Sequence, residues 1–173
     1  AWAQAQAELI RGLAEAMNAS AEQLPERVDR LLAERKELTR ALEQARLQAR
    51  SADAASSLAN ARVIGGHRVA VVQLDGVGGK ELRGLAEELR GRLESGALLV
   101  TGTDGDKVTI LVTATADVSD RFHAGKTVGV LAAHVGGRGG GRPDLAQAGG
   151  TDASGLAQVV ADYYALAESA LGS

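Results

Sequence analysis

The run Arg68-Val69-Ala70-Val71-Val72-Gln73-Leu74 is followed by glycines at 76, 78 and 79, and then by Leu82, Leu85, Ala86, Leu89 and Leu93. The first stretch is rich in Val, carries no charge after Arg68 and is punctuated by glycine, so it reads as a buried strand. The apolar spacing of the second predicts an amphipathic helix. Ala97 to Thr101 and Val108 to Thr115 read as two further strands, joined by a turn through Gly102-Thr103-Asp104-Gly105-Asp106. Phe122 to Val135 and Ser154 to Leu171 read as helices, the last with Leu156, Val159, Val160, Tyr163, Ala167 and Leu171 along its apolar side. The order β-α-β-β-α-loop-α predicts an α/β fold in which a mixed β-sheet is layered with helices. This globular domain is expected over residues 63–173.

Upstream, residues 1–62 read as a helical, coiled-coil-like arm. Residues 1–17 form a first helix, and Leu24-Pro25-Glu26-Arg27 restarts one, since Pro is tolerated in the first turn and Glu26 suits the positive end of the helix dipole. Leu24, Val28, Leu31, Arg35, Leu38, Leu42, Ala45, Ala49 and Ala52 then alternate at spacings of four and three, an a/d seam broken once by Arg35. A single helix cannot hide such a stripe, so a packing or dimerisation seam is expected at Leu24, Val28, Leu31, Leu38 and Leu42. Residues 51–62 read as frayed helix or connector.

Hydrophobic residues make up 45% of the 173 and aromatics 2%, so Leu, Val and Ala must build the core. Cysteine is absent, which excludes disulfides and thiolate zinc sites and fits a reducing compartment. Charges or glycine-rich polar stretches interrupt every window long enough to span a bilayer. The opening Ala1-Trp2-Ala3-Gln4 has neither a basic start nor an apolar signal core, and reads as a cut within a longer protein. Net charge is −3, which excludes a strongly basic nucleic-acid binder. Charge is uneven, however: between Arg121 and Pro143 the chain holds Arg121, Lys126, Arg138 and Arg142 and no acid.

That stretch leads into the sharpest motif, Gly136-Gly137-Arg138-Gly139-Gly140-Gly141-Arg142-Pro143-Asp144, and on through Leu145-Ala146-Gln147-Ala148 to Gly149-Gly150. Seven of the chain's 22 glycines lie here. In a loop, consecutive glycines allow close backbone approach, backbone N–H groups can point at an anion, and arginines add bidentate phosphate donors. A flexible linker is the plain alternative, but linkers seldom place two arginines among five glycines and then continue into Pro-Asp. Gly125-Lys126-Thr127 does not make a phosphate-binding P-loop, because Asp120 stands where the motif needs its first glycine. His67, His123 and His134 form no metal-ligand spacing. Asp104, Asp106, Asp117 and Asp120 lack calcium-loop spacing, and no serine stands out as a nucleophile. Tyr163 and Tyr164 could stack on bases, yet helical spacing among Leu and Val reads Tyr163 as core.

The run Gly136 to Gly150, with Pro25-Glu26-Arg27-Val28 opening a charged heptad helix and Val63-Ile64 leading into a strand, resembles the C-terminal region of the alanyl-tRNA synthetase family, which carries a DHH-associated domain. The resemblance covers essentially the whole chain. It implies a non-catalytic, cytoplasmic module that engages alanine-specific tRNA at its elbow, through Gly137, Arg138, Gly139, Gly140, Gly141, Arg142 and Gln147 with support from Lys126 and Arg121. It implies neither membrane nor DNA as a partner, and allows a homodimer. The parent family ligates alanine to tRNA with ATP and magnesium and edits at a zinc site. Neither residue set occurs here, so no cofactor is expected in this chain. Related DHH-type phosphoesterases hold nucleic acid with a Gly-Gly-Gly-His loop; Arg142 in the His position favours the synthetase reading over that of a substrate-holding phosphoesterase domain.

Overall fold

The computed structural model describes residues 1–172. They form two compact units, one spanning Ala1–Ala49 and one beginning at Arg50.

The first unit holds α1 (Trp2–Ala16) and most of α2 (Leu24–Ala59). Asn18 ends the first helical segment in the left-handed region, at φ 48°, a conformation that Asn tolerates better than most residues. A 3-10 turn at Ala21–Gln23 leads into α2, where the Gln23 side chain reaches back to accept from the Ser20 backbone N–H at 3.1 Å. This is half of a capping box, and it starts the helix just before Pro25. The heptad seam is present on α2 but uncovered: Val28, Leu31, Leu38 and Leu42 are all exposed.

The second unit is built on a six-stranded mixed sheet. Its strands are β1 (Arg62–Ile64), β2 (His67–Asp75), β3 (Gly96–Asp104), β4 (Lys107–Ala114), β5 (Arg138–Gly141) and β6 (Leu145–Gly150), in the spatial order β1-β2-β3-β4-β6-β5. The β2 and β3 strands are parallel and joined by the crossover helix α3 (Gly79–Arg92); every other pairing is antiparallel. Helices α4 (Ala124–Ala132) and α5 (Leu156–Leu171) complete the unit.

Helices cover both faces, so strand side chains alternate between two cores rather than between core and water. Ala97, Leu99, Val108, Ile110, Val112, Ala146 and Ala148 join residues of α4 and α5 in one cluster. Leu98, Val100, Leu111 and Leu145 join α3 in the other. This is why the strands read as near-continuous apolar runs. Of residues 51–62, read above as frayed helix or connector, 51–59 are instead continuous helix and only the last few form the connector. Ala54 and Leu58 are buried in the α3-side core, and Arg50 donates to Gly76 O at 2.9 Å, so tertiary packing carries a stretch that its Ser and Asp content weakens.

The Gly136–Gly150 run also differs from its expected form. It is no loop: it supplies β5 and β6 and completes the sheet. Glycine and alanine carry little strand propensity, but here strand pairing to β4 decides. At Gly137, Gly139, Gly141 and Gly150 the space is too tight for larger residues. A Cβ on Gly141 would come within 2.6 Å of the Ala146 Cα, and one on Gly125 of α4 would strike the Gly141 carbonyl. The glycines thus serve the chain's own packing.

Tyr163 sits in the α4–α5 core, as its spacing predicts, with its ring edge-on to Phe122 at 5.8 Å. Its hydroxyl is buried with no hydrogen-bond partner among the described residues, and burial pushes its pKa well above the ordinary tyrosine value, so it stays neutral. An unpaired buried hydroxyl costs about 1–3 kcal/mol. Tyr163→Phe is therefore expected to leave thermal stability unchanged or raise it by about 1 kcal/mol. A clear loss in a melting experiment would show that the hydroxyl finds a partner in solution.

Candidate nucleic-acid interface

The β5–β6 hairpin lies at one margin of the sheet, with β5 as the edge strand and all four of its residues exposed. Its tip is Arg142-Pro143-Asp144, closed by the Arg142 N–H donating to Leu145 O at 3.0 Å. Two carbonyls tie the tip down. Pro143 O accepts from the Ala124 N–H at 2.9 Å, and Asp144 O accepts from the Ala114 N–H and the Thr113 hydroxyl, both at 3.0 Å.

The Asp144 carboxylate organises the cations around the tip. Arg142 approaches it with Nε at 3.1 Å and Nη2 at 3.2 Å, and Arg90 of α3 with Nη1 at 3.0 Å. Burial pushes this carboxyl up, but the Arg90 hydrogen bond and the Arg142 charge outweigh it and hold its pKa below the ordinary aspartate value. Arg142 stays 70% exposed, with the Nη1 edge of its fork not used by Asp144. Arg138 is exposed at the start of β5, opposite Gly149.

Of the residues singled out from sequence, Gly137, Arg138 and Gly139 lie at the start of the hairpin and line neither of the two clefts that hold the others. Gly140, Gly141, Arg142 and Gln147 share a groove of about 240 Å³ on the α3 side of the sheet. Arg83, on α3, lines the same groove; sequence reading missed it, as it missed Arg90. Arg121 and Lys126 line a separate cleft, where the start of α4 meets Leu166, Ser169 and Ala170 of α5. Arg121 donates there to Ala170 O at 3.3 Å. The basic stretch from Arg121 to Pro143 is therefore continuous in sequence but not in space.

The histidines have structural partners. His123 caps α4, its Nδ1 accepting from the Lys126 N–H at 3.3 Å, and His134 Nε2 lies 2.7 Å from Asp162. Among the described residues no His, Asp and Glu cluster could hold a metal ion. His67, Ser95 and Asp117 do meet, but in an order unsuited to nucleophilic catalysis. Ser95 lies between the other two, donating its hydroxyl proton to Asp117 while its oxygen sits 2.6 Å from His67 Nδ1. An activated serine needs the imidazole in the middle. Hydrogen bonds from Ser95, and then from Thr115, hold the Asp117 pKa low. The cluster pins together the starts of β2 and β3 and the end of β4.

The DHHA1-domain family matches residues 66–169. The chain is similar to an alanine–tRNA ligase of Chromohalobacter salexigens, with 36% identity over 163 residues, which make up 94% of this chain and 19% of that protein. It therefore spans about a fifth of that relative's length. It is also similar to the crystal structure of the C-Ala domain from Aquifex aeolicus alanyl-tRNA synthetase, at a TM-score of 0.59 and 26% identity, the match covering 62% of this chain and 97% of that one.

The Asp144 site sets an acid sensitivity. Its folded pKa lies below the reference 3.8, so the stability it contributes is present above pH 3.8 and lost as pH falls through the lower folded value. Asp144→Asn is expected to melt lower than the parent at neutral pH and to lose less on acidification. Melting curves taken from neutral pH to below 3.8 check this, and parallel losses in both proteins would dissociate Asp144 from the acid response.

Proposed function

From the premise that this chain belongs to the DHHA1-domain family, we propose that it is the tRNA-binding C-terminal module of an alanyl-tRNA synthetase and carries out no bond-breaking step of its own. The observation that carries the reading is the exposed edge strand Arg138–Gly141, with Arg138 as its first residue and Arg142 just past its end, in a stretch without acids from Arg121 to Pro143. An edge strand presents unpaired backbone donors, and arginine forks on either side match phosphate oxygens bidentately. Two arginines at the strand ends also discourage edge-to-edge pairing with a second copy, leaving the edge to an anion.

The partner in this reading is alanine-specific tRNA at its elbow, where shape and exposed bases are on offer. Arg138 and Arg142 supply the principal contacts and Lys126 and Arg121 a subsidiary one from the α4–α5 cleft. In the longer cytoplasmic enzyme the module would support both ATP-dependent ligation of alanine and editing by holding the tRNA. With a net charge of −3 the affinity should be modest and steeply salt-dependent. Arg138→Ala combined with Arg142→Ala is expected to weaken tRNA binding by about tenfold or more and to flatten the logarithmic salt slope by about 2, since each phosphate contact contributes nearly one unit. Fluorescence anisotropy at two or more salt concentrations measures both quantities. Binding equal to the parent's would remove the edge strand from the interface.

The uncovered seam favours a second role that is compatible with the first. Val28, Leu31, Leu38 and Leu42 are 41%, 41%, 69% and 51% exposed, and each buried side chain of this kind is worth about 1.5–3 kcal/mol. Pairing of α2 with α2 of a second copy would bury them. Sedimentation over a range of concentrations should then show a dimer that Leu31→Asp with Leu38→Asp converts to monomer. A parent that stays monomeric at every concentration would assign the seam to another part of the longer protein.

A further inference from the structure

The triplet Gly125-Lys126-Thr127 opens α4, and the RNA reading uses nothing of it beyond the charge of Lys126. Lys126 and Thr127 both line the cleft where the start of α4 meets α5, a space of about 240 Å³. Its floor is apolar, made by the buried Phe122 with the half-buried Leu166 and Ala170. Its exposed rim carries Asp120, Arg121 and Ser169.

Thr127 is the unusual member. It is 6% exposed, yet its hydroxyl has no hydrogen-bond partner among the described residues. A helical threonine often returns its hydroxyl to the carbonyl one turn back. Here the His123 carbonyl accepts the backbone N–H groups of Lys126 and Thr127 instead. Among the described residues, the unpartnered side-chain atom sealed from solvent is the Tyr163 hydroxyl. The Thr127 hydroxyl is therefore not sealed, and it opens on the cleft that Thr127 lines. An unpaired hydroxyl at such depth is costly, and a ligand atom that pairs with it recovers the loss.

The surrounding charges define the ligand. Lys126 and Arg121 are positive, and α4 points the positive end of its dipole at the same place. His123 Nδ1 accepts from the Lys126 N–H, so its neutral ring keeps a proton on Nε2 as a further donor. Asp120 is the one carboxylate lining the cleft and has no partner among the described residues. It would repel a fully deprotonated anion. It suits an anion that donates a proton of its own, because an ionised carboxylate is purely an acceptor.

We propose that this cleft binds inorganic phosphate. The Thr127 hydroxyl and the His123 Nε2–H donate to its oxygens, Lys126 and Arg121 balance its charge, and the P–OH that phosphate keeps at neutral pH donates to Asp120. Sulfate has a similar shape and charge but no proton, and the diester backbone of RNA has none either. Both would set bare oxygens against the Asp120 carboxylate. At about 240 Å³ the cleft is below the roughly 300–1,000 Å³ of sites that enclose drug-sized ligands, as a site for one small ion should be. Bound phosphate occupies Lys126, so RNA engages that side chain only when the ion is absent. The site itself does not depend on the RNA reading.

The test uses the full chain and no RNA. The amide resonances of Gly125, Lys126 and Thr127 are followed by NMR during titration with sodium phosphate or sodium sulfate, at neutral pH and constant ionic strength. The parent is expected to bind phosphate with a dissociation constant of about 1–10 mM, as befits an open cleft around a small ion. Sulfate should bind about tenfold more weakly or worse, since the carboxylate repels it. Thr127→Val keeps the side-chain shape and should weaken phosphate binding by about fivefold or more, without lowering the melting temperature. Asp120→Asn, at an exposed position, should bind sulfate as well as phosphate, because its amide donates. A parent whose amides do not shift in phosphate up to about 100 mM overturns the site. Equal binding of phosphate and sulfate by the parent also overturns it, reducing the cleft to a general attraction for anions. So does a folded Thr127→Val with the parent's affinity. If Thr127→Val fails to fold, Asp120→Asn decides: retained discrimination against sulfate overturns the proposal, and lost discrimination upholds it.

Discussion

Backbone packed against backbone sets the geometry of this surface. Helix α4 comes so close to the hairpin that a Cβ on Gly125 would strike the Gly141 carbonyl, and β5 lies so close on β6 that Gly139 and Gly141 admit no side chain. Both approaches follow from the way the hairpin joins the sheet, with β6 paired to β4 over Leu145–Gly150 and the tip held by the Pro143 and Asp144 carbonyls. Because these contacts involve little side-chain freedom, the hairpin tip is a firm platform for its arginines. Preorganised donors lose less entropy when an anion arrives.

Much of the fold is legible in the residues themselves. Arg68 to Leu74, Ala97 to Thr101, Val108 to Thr115 and the helix through Leu82 and Leu93 declare themselves through apolar runs and helical spacing, and each is found where expected. The heptads of α2 and the core place of Tyr163 are equally plain. The hairpin is not legible, because glycine and alanine have no strand signature. Its strands exist through pairing with β4, a neighbour some forty residues away in the chain. The end of α2 was obscured for a similar reason, since the cores that receive Ala54 and Leu58 are assembled from later segments.

The candidate site follows the same division. Composition pointed to Arg138 and Arg142, and both lie on the exposed margin of the sheet. It also gathered Arg121 and Lys126 with them, whereas the fold places those two in a cleft with α5. Arg83 and Arg90 escaped notice because only the strand order β4-β6-β5 reveals which side of α3 borders the hairpin. Proximity in a glycine-rich sequence was a poor guide to proximity in space, and the spacing of charges along one helix was informative only once its neighbour was known.

The strand order has one more consequence, for folding. Strand β4 alternates Val108, Ile110 and Val112 on one face with Leu111 on the other, and it is kept inside the sheet by β6. Until the late hairpin docks, β4 is an open apolar edge, the kind of template that recruits strands from other molecules. A nascent or locally unfolded chain that has formed β2, α3, β3 and β4 would carry this hazard through the time needed to close a long-range pairing. The β5–β6 hairpin therefore also acts as the guard strand of the fold, and lesions that loosen it should appear first as aggregation.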